Sequence, residues 1–178
     1  MNTVAYRLIL FFQFLALFSF AQQNAGLNTL LNKNQEFIFP QTPKKISAIL
    51  GVKTVFYEDA NEQPYAKWLS KSGLELYCSL KEDRTIDEMF FIIKDDRPIV
   101  VEGLPFNLVM NRTTLQQSML KFSKYKIKKE KLDEGYEYPG GTRLFFKKGD
   151  RFITLLFDSK NLLKFLSITN EIIGSAVN

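Results

Sequence analysis

The sequence predicts an α+β protein made of two tandem units, in each of which a short helix packs on an antiparallel β-meander. Each half of the chain contains one segment with helical periodicity, and a run of short alternating segments follows it. Turn residues separate these short segments, as is typical of antiparallel connections. In addition, the hairpin-like segment 73–90 is echoed by residues 141–157. A helix with one apolar stripe and a meander with one apolar face bury those surfaces against each other, which gives a layered fold.

Residues 1–21 have the pattern of a signal peptide. Arg7 precedes an apolar run, Leu8–Phe20, that is shorter than the roughly 20 residues that span a bilayer as a helix. The small residues Ser19 and Ala21 match a signal-peptidase site with cleavage before Gln22. We therefore expect an exported protein, periplasmic or secreted, with no transmembrane segment after cleavage.

The remaining chain, 22–178, is long enough for one domain or two very small ones, and it can fold without disulfides. Cys78 is the only cysteine, and its alternation with Leu76 and Leu80 predicts a buried position on the apolar face of a strand. The net charge is +5 at pH 7, and removal of Arg7 lowers it to +4. This mild positive charge does not predict binding to nucleic acid.

The first unit is expected to span 37–103, after a polar leader, rich in Asn and Gln, at 22–36. Its helix begins where Thr42 can cap the N-terminus with Pro43 at the first helical position, and it ends before Gly51. Strand-like segments follow at 52–58, 65–69, 73–80, 85–93 and 99–103.

The second unit is expected to span 104–178, with the same order of elements. Thr113 and Gln116 have the spacing of a capping box at the start of its helix, and apolar residues then recur on one helical face. Strand-like segments follow at 125–132, 135–139, 142–148, 151–157 and 161–169.

The echo between the two halves predicts an internal duplication. When one residue is dropped in the turn, six positions are identical: Gly73/Gly141, Leu76/Leu144, Asp83/Asp150, Arg84/Arg151, Ile86/Ile153 and Phe90/Phe157. The helix-to-hairpin spacing is also nearly the same in both halves. We interpret the echo as one structural unit that is used twice.

This tandem helix-plus-meander plan resembles the fold of the β-lactamase inhibitor proteins over about residues 37–170, and each unit is similar to the small lipoproteins of outer-membrane assembly. The chain departs from the inhibitors because neither unit has paired cysteines, and from the lipoproteins because it has no lipobox cysteine. A sheet with helices on one face leaves its other face free, and we expect this open sheet face to dock a protein partner. The resemblance implies that the partner is an enzyme or toxin that the protein inhibits, in an immunity-like role.

The residue types exclude several classes of chemistry. The chain has no histidine and one cysteine, which rules out Ser-His-Asp and Cys-His catalysis, His- or thiolate-bound zinc, and iron–sulfur clusters. Neither a dinucleotide-binding nor a P-loop glycine motif occurs. Asp87 and Glu88 are adjacent on a strand and are expected to point to opposite faces, and Asp95 and Asp96 fit a turn. We expect a non-enzymatic protein without a cofactor or metal; a carboxylate-only hydrolase is an alternative that needs two acids converging in a cleft.

Aromatic side chains are the candidates for binding a partner, because Tyr and Trp supply large, rigid contact area. Tyr77 falls on the strand face opposite Leu76 and Cys78, so it is expected to point away from the helix. The candidate partner-binding residues are Tyr65, Trp68, Tyr77, Tyr136 and Tyr138. An alternative is that these rings pack the sheet ends or the seam between the units. The function expected from them is that of an exported protein-binding module with an unidentified protein partner.

A basic patch is expected at Lys124, Lys126 and Lys128, which alternate with Tyr125 and Ile127 in the pattern of a strand with one wet face. Lysines protect an edge strand from pairing with other chains. Alternatively, they form a patch for an acidic partner or for anionic lipid. In that case the protein is a structural or accessory protein of the periplasmic cell envelope that contacts the membrane surface or the wall.

Overall fold

The computed structural model describes residues 22–93 and 99–172. The predicted signal peptide, 1–21, lies outside the described residues, as do 94–98, which include the predicted Asp95–Asp96 turn, and 173–178.

The described residues form ten strands, two α-helices and two single-turn 3-10 helices. The α-helices are α1 (Pro43–Leu50) and α2 (Leu115–Lys121), and the 3-10 helices are Asn28–Leu30 and Pro105–Asn107. The strands are β1 (Gln22–Asn24), β2 (Val55–Glu58), β3 (Pro64–Leu69), β4 (Glu75–Leu80), β5 (Ile86–Ile92), β6 (Val100–Glu102), β7 (Lys128–Lys131), β8 (Thr142–Lys148), β9 (Arg151–Phe157) and β10 (Leu163–Thr169). No helix within 22–93 and 99–172 is long and apolar enough to cross a membrane.

Eight of the strands form one antiparallel sheet, which confirms the predicted α+β class. The strand order is β2-β3-β4-β5-β10-β9-β8-β7, so β5 and β10 pair at the centre and β2 and β7 form the two edges. β1 and β6 form a separate parallel pair. The first four strands of the sheet therefore come from one half of the chain, and the last four come from the other half.

The predicted duplication equates the β4–β5 hairpin with the β8–β9 hairpin. On one side of the sheet's centre, β5 is the first strand and β4 is the second. On the other side β10 is the first strand, so β9 is the second and β8 is the third. The two echoing hairpins thus occupy different distances from the central pair. The duplication stays a prediction.

The predicted caps hold for α1 and shift by one residue for α2. The Thr42 hydroxyl accepts a hydrogen bond from the Lys45 N–H (3.4 Å), and Gly51 ends α1 in the left-handed region (φ 64°). The capping box of α2 is formed by Thr114 and Gln117 instead of Thr113 and Gln116. The shift has a local cause, because the Thr113 hydroxyl already accepts a hydrogen bond from the Val109 N–H of the preceding turn (2.8 Å).

The main core lies between the sheet and the two helices. Ile46 of α1 is buried there together with Phe91 and Phe157 of the sheet, and Leu115 of α2 packs against the same cluster. Cys78 is buried in this core, as predicted, and burial raises the pKa of its thiol to about 12. The thiol is therefore a hydrophobic core group with little thiolate character near neutral pH.

Residues 22–36 are part of the domain, which corrects their interpretation as a polar leader. β1 pairs with β6 in parallel, from Gln22 opposite Val100 to Asn24 opposite Glu102. Leu27 and Leu30 are completely buried in the main core. A few apolar side chains anchor this otherwise polar segment, since each fully buried leucine stabilises the fold by roughly 2 kcal/mol.

Candidate binding surface

The sheet has a second face, opposite the helices, which we call the open face. It carries its own small cluster, in which Phe90 and Phe165 are buried and Tyr77 and Ile92 are partly buried. Tyr77 therefore points away from α1, as the alternation with Leu76 and Cys78 predicts. A partner-binding residue of the sheet must therefore lie on the open face.

Trp68 lies on the helix side and not on the open face, so its assignment as a partner-binding residue is wrong. Its side chain is 0% exposed, and the indole Nε1–H donates to the hydroxyls of Ser47 (2.9 Å) and Thr54 (3.1 Å). The register of β3 against β4 pairs Trp68 with the core residue Leu76, which sets this orientation. Trp68 is a core residue whose polar tip is satisfied.

Tyr138 is also buried, and its assignment as a surface residue is corrected. The predicted strand 135–139 is a loop that folds over one end of the open face, where Tyr138 joins Phe90, Phe165 and Leu132 in the second cluster. Its hydroxyl donates to the carbonyl oxygen of Ile93 (3.3 Å). Tyr136 is half-buried against the same cluster and remains partly accessible.

Two pairs of stacked aromatic rings lie on the open face, and we call them the tyrosine face: Tyr57, Tyr65, Tyr77 and Phe90. The three tyrosines are exposed or half-buried, whereas Phe90 is buried. Tyr57 and Tyr65 stack with ring centroids 5.3 Å apart, and Tyr77 stacks on Phe90 at 4.6 Å. These rings come from the four neighbouring strands β2 to β5. Burial is the main cause that raises the pKa of each of the three tyrosines above its ordinary value, so all three keep their hydroxyl protons at neutral pH.

An acidic pocket of about 390 Å³ adjoins the tyrosine face at Tyr65. Asp87, Glu88 and Glu171 line it, together with Ser79. Sequence reasoning placed Asp87 and Glu88 on opposite faces, and this is wrong. The register between β4 and β5 shifts by one residue at this point, from Ser79 opposite Glu88 to Leu80 opposite Ile86, so Asp87 is an extra, bulged residue.

The polar groups of the acidic pocket are unequally satisfied. Glu88 accepts a hydrogen bond from the Asn170 N–H (2.8 Å), and partial burial raises the pKa of its carboxyl above the ordinary value. Asp87 lies 3.6 Å from the Lys81 ammonium and 3.9 Å from the Arg151 guanidinium. Ser79 is 5% exposed, and its buried hydroxyl has no hydrogen-bond partner among the described residues.

The acidic pocket brings together acids of the kind that a carboxylate-only hydrolase requires, since Asp87, Glu88 and Glu171 all line it. Asp87 is held near Lys81 and Arg151, and the hydrolase alternative stays a prediction. Within 22–93 and 99–172, no group of three His, Cys, Asp or Glu side chains is placed to hold a metal ion. A hydroxyl, an aromatic ring and several carboxylates instead suit a basic organic group.

The two edges of the sheet differ sharply in chemistry. β7 reads Lys-Lys-Glu-Lys and is exposed at all four positions, as expected of an edge that resists pairing. β2 is exposed along its whole length as well, but its side chains are mainly apolar. Val55 and Phe56 are each 59% exposed, and Tyr57 is 40% exposed. An apolar edge strand of this kind offers unpaired backbone groups to another chain.

The predicted basic patch is divided between two places. Lys128 lies in β7, where its ammonium is 5.6 Å from the centre of the Phe145 ring, while Lys124 and Lys126 precede the strand. All three lysines are exposed, and Tyr125 and Ile127 between them are half-buried against the core. Of the three lysines, Lys124 lines a pocket.

That basic pocket has a volume of about 650 Å³ and is lined by the lysines Lys33, Lys121, Lys124 and Lys148 and by one carboxylate, Glu36. Lys148 and Glu36 form an ion pair at 2.5 Å. Burial lowers the pKa of Lys148, but the hydrogen bond and charge of Glu36 outweigh this, and the pKa is raised above the ordinary lysine value. The other three lysines have no carboxylate partner among the described residues. The pocket therefore carries excess positive charge.

No family model matches this chain, and no curated protein matches it. A solved structure, that of a DUF4309 family protein (YjgB) from Bacillus subtilis, aligns with 76% of this chain and 82% of its own chain, at 11% sequence identity and a TM-score of 0.41.

Proposed function

We propose that this chain is an exported, non-enzymatic protein-binding module, and that its partner contacts the tyrosine face and places a basic side chain in the acidic pocket. The observation that carries the proposal is the direct junction of the two features at Tyr65, which stacks on Tyr57 and also lines the pocket. Both features lie on the open face, away from α1 and α2.

The tyrosine face supplies contact area that is already ordered. Tyr57 and Tyr65 support each other as a parallel stack, so neither ring loses much conformational freedom when a partner covers it. Their hydroxyls remain protonated and can donate or accept hydrogen bonds at the rim of the contact. Rings with these properties are the usual anchors of protein interfaces.

The acidic pocket supplies charge selectivity. Of the three carboxylates that line the pocket with Tyr65, Asp87 lies near Lys81 and Arg151, so the negative charge offered to a partner comes from Glu88 and Glu171. A lysine or arginine side chain of the partner would form a charge-assisted hydrogen bond with the carboxylate of Glu88 and a cation–π contact with the ring of Tyr65. The buried hydroxyl of Ser79, which is costly to leave unpaired, would gain an acceptor or donor.

The resemblance to inhibitor proteins gives this binding module a role. If the partner is an enzyme or a toxin, its basic side chain in the acidic pocket and its surface on the tyrosine face would be withdrawn from substrate, and the complex would be inhibitory. The proposal requires only the complex, so it is tested on binding before inhibition.

The test is a cross-linked capture from the envelope and secreted fractions with the purified protein, followed by affinity measurement on the captured partner. Glu88→Gln removes the charge and keeps the shape, and we expect it to weaken binding about 10- to 100-fold, the value of a charge-assisted hydrogen bond. Glu82→Gln is the matched control, because Glu82 is an exposed acid in the β4–β5 turn outside the pocket. Equal affinity of Glu88→Gln and the wild type would contradict the proposal.

The basic pocket favours a second candidate function, that of a cell-envelope accessory protein. Its three lysines without carboxylate partners would attract the phosphate groups of anionic lipid. We expect the triple variant Lys33→Glu, Lys121→Glu, Lys124→Glu to lose most of its sedimentation with phosphatidylglycerol vesicles. The control Lys126→Glu, Lys128→Glu, Lys129→Glu makes the same charge change outside the pocket. Equal losses in both variants would show unspecific attraction and contradict a role for the pocket.

A further inference from the structure

The edge strand β2 is a second interaction surface, which shares Tyr57 with the tyrosine face but lies outside the acidic pocket. We propose that it binds a second copy of this chain, with the two β2 strands paired antiparallel about a two-fold axis at Phe56. The starting observation is the exposed apolar edge, where Val55 and Phe56 are each 59% exposed.

The hydrogen-bonding groups of β2 that are available to a partner belong to Phe56 and Glu58. The Asp59 N–H donates to the carbonyl oxygen of Gln63 (3.1 Å), so Asp59 points its backbone groups toward β3. Backbone groups alternate between the two sides of an antiparallel strand. The backbone N–H and C=O groups of Val55 and Tyr57 therefore also point toward β3, and those of Phe56 and Glu58 point outward.

Symmetry restricts the register. Residues that lie opposite each other in an antiparallel pair share a face of the sheet, so a residue of β2 must face a residue of the second copy with the same orientation. When the two-fold axis passes through Phe56, Phe56 of one copy and Phe56 of the other form a hydrogen-bonded pair. The same register sets Val55 opposite Tyr57 of the second copy.

Charge favours this register over its neighbours. It sets Lys53 opposite Asp59 of the second copy, and the symmetry produces this contact twice. Lys53 is exposed, and Asp59 is partly exposed although its Oδ1 accepts hydrogen bonds from the Asn61 and Gln63 N–H groups, so both charged groups can be reached by a partner. A shift by one residue on each strand would place Lys53 opposite Tyr57 of the second copy, and both charge contacts would be lost. Opposite charges in facing positions stabilise a strand pair, whereas unmatched ones do not.

A groove between α1 and β2 receives the side chains on the helix side. Phe56 separates two pockets, one of about 430 Å³ beside Pro43 and Arg84 and one of about 650 Å³ beside Ala48 and Lys53; Lys44 lines both. In the proposed register, Glu58 of the second copy lies opposite Thr54, at the pocket that Lys44 and Lys53 line. A second copy of β2 therefore fits this groove by charge, because its Glu58 would face Lys44 and Lys53.

The two unequal edges explain why the pairing would stop at a dimer. A sheet with two apolar edges would extend into a fibre, because each new copy would present another free edge. Here the far edge of each copy is β7, whose Lys-Lys-Glu-Lys sequence opposes pairing. Pairing β2 with β2 consumes the apolar edge of both copies and closes the assembly.

Sedimentation velocity of the purified protein over a range of concentrations tests the dimer without any other partner. We expect a monomer–dimer equilibrium, and we expect Phe56→Lys to raise the dimer Kd by more than about 100-fold by setting two like charges face to face. Leu120→Lys is the matched control, because Leu120 is 70% exposed on α2, far from β2. A monomeric wild type, or an unaffected Phe56→Lys, would overturn the proposal.

A cysteine at position 56 tests the register directly. A hydrogen-bonded pair has its Cα atoms about 5.5 Å apart, within the range that a disulfide spans. We expect Phe56→Cys to form an intermolecular disulfide on mild oxidation much faster than Leu120→Cys, since native Cys78 is buried. Equal rates would exclude pairing at Phe56. Because neither measurement involves Glu88, failure of the dimer and failure of the proposed binding function are distinguishable.

Discussion

Trp68→Ala lowers the free energy of unfolding by about 3–5 kcal/mol, the usual cost of truncating a buried aromatic side chain. Trp68 is fully buried between β3 and α1, and its indole N–H is shared between Ser47 and Thr54. The substitution removes the ring that joins the helix to the first half of the sheet. Urea unfolding followed by far-ultraviolet circular dichroism measures the loss, because this chain has no second tryptophan to report by fluorescence.

Trp68→Phe separates packing from hydrogen bonding at the same position. It keeps an aromatic ring but no donor, so we expect a loss of about 1–3 kcal/mol. The Ser47 and Thr54 hydroxyls already lie 2.6 Å apart and can still bond each other. If Trp68→Ala were within about 0.5 kcal/mol of the wild type, as surface substitutions are, the ring would have to be accessible, and it would return to the candidate binding residues.

Gly141→Ala lowers the free energy of unfolding by about 3 kcal/mol or more, since overpacking against rigid atoms is at the costly end of such changes. A Cβ atom at Gly141 would lie 2.0 Å from the carbonyl oxygen of Phe157 and 2.8 Å from that of Tyr138. Both obstacles are backbone, so no side chain can move aside. The start of β8 would have to separate from β9, and thermal or urea unfolding measures the cost.

Gly140→Ala is the matched control, one residue away in the same turn. Gly140 has a φ of 72° and open space around the position of a Cβ, so only the strain of a left-handed alanine applies, about 1 kcal/mol. We expect the unfolding midpoint to fall much further for Gly141→Ala than for Gly140→Ala. The reverse order would mean that the turn is set by the left-handed residue and not by the close approach to β9.

The strands and the first helix could be predicted because their signals are local. Short segments bounded by turn residues predict the strands of the sheet, and Thr42, Pro43 and Gly51 delimit α1 by capping alone. The polar segment 22–36 was less predictable. Leu27 and Leu30 are its anchors, but their burial depends on the pairing of β1 with β6, some 80 residues away.

The candidate site was predicted less well, for reasons that particular residues illustrate. Trp68 lies on the same face of β3 as the buried Ala66, whereas Tyr65 and Lys67 lie on the other face. The alternation within β3 therefore indicated that Trp68 is buried. The frequent use of tryptophan in protein interfaces led to the opposite prediction. The β-bulge is also visible in the spacing of the apolar residues of β5. Ile86 and Met89 are both buried although three positions apart, and this break in period-two spacing indicates an extra residue between them.

Other parts of the site had no local signal. Tyr138 is buried because its loop reaches Ile93, a contact that spans 45 positions. The apolar character of β2 was visible in the sequence, but its place at the edge depends on the order of all eight strands. Exposure of an edge strand is a property of topology, and sequence patterns report topology poorly.

The central position of β10 has a consequence for how the molecule folds. Strands β2 to β5 can pair with one another as soon as they exist, yet β5 completes its pairing only when β10 arrives, with Phe91 opposite Leu166 some 75 positions later in the chain. Closing so long a loop is slow compared with forming local hairpins. During that interval the apolar strand β5 is a temporary edge that another unfinished chain could occupy. The yield of correct molecules should therefore fall as refolding is carried out at higher protein concentration, even though the finished sheet protects its centre completely.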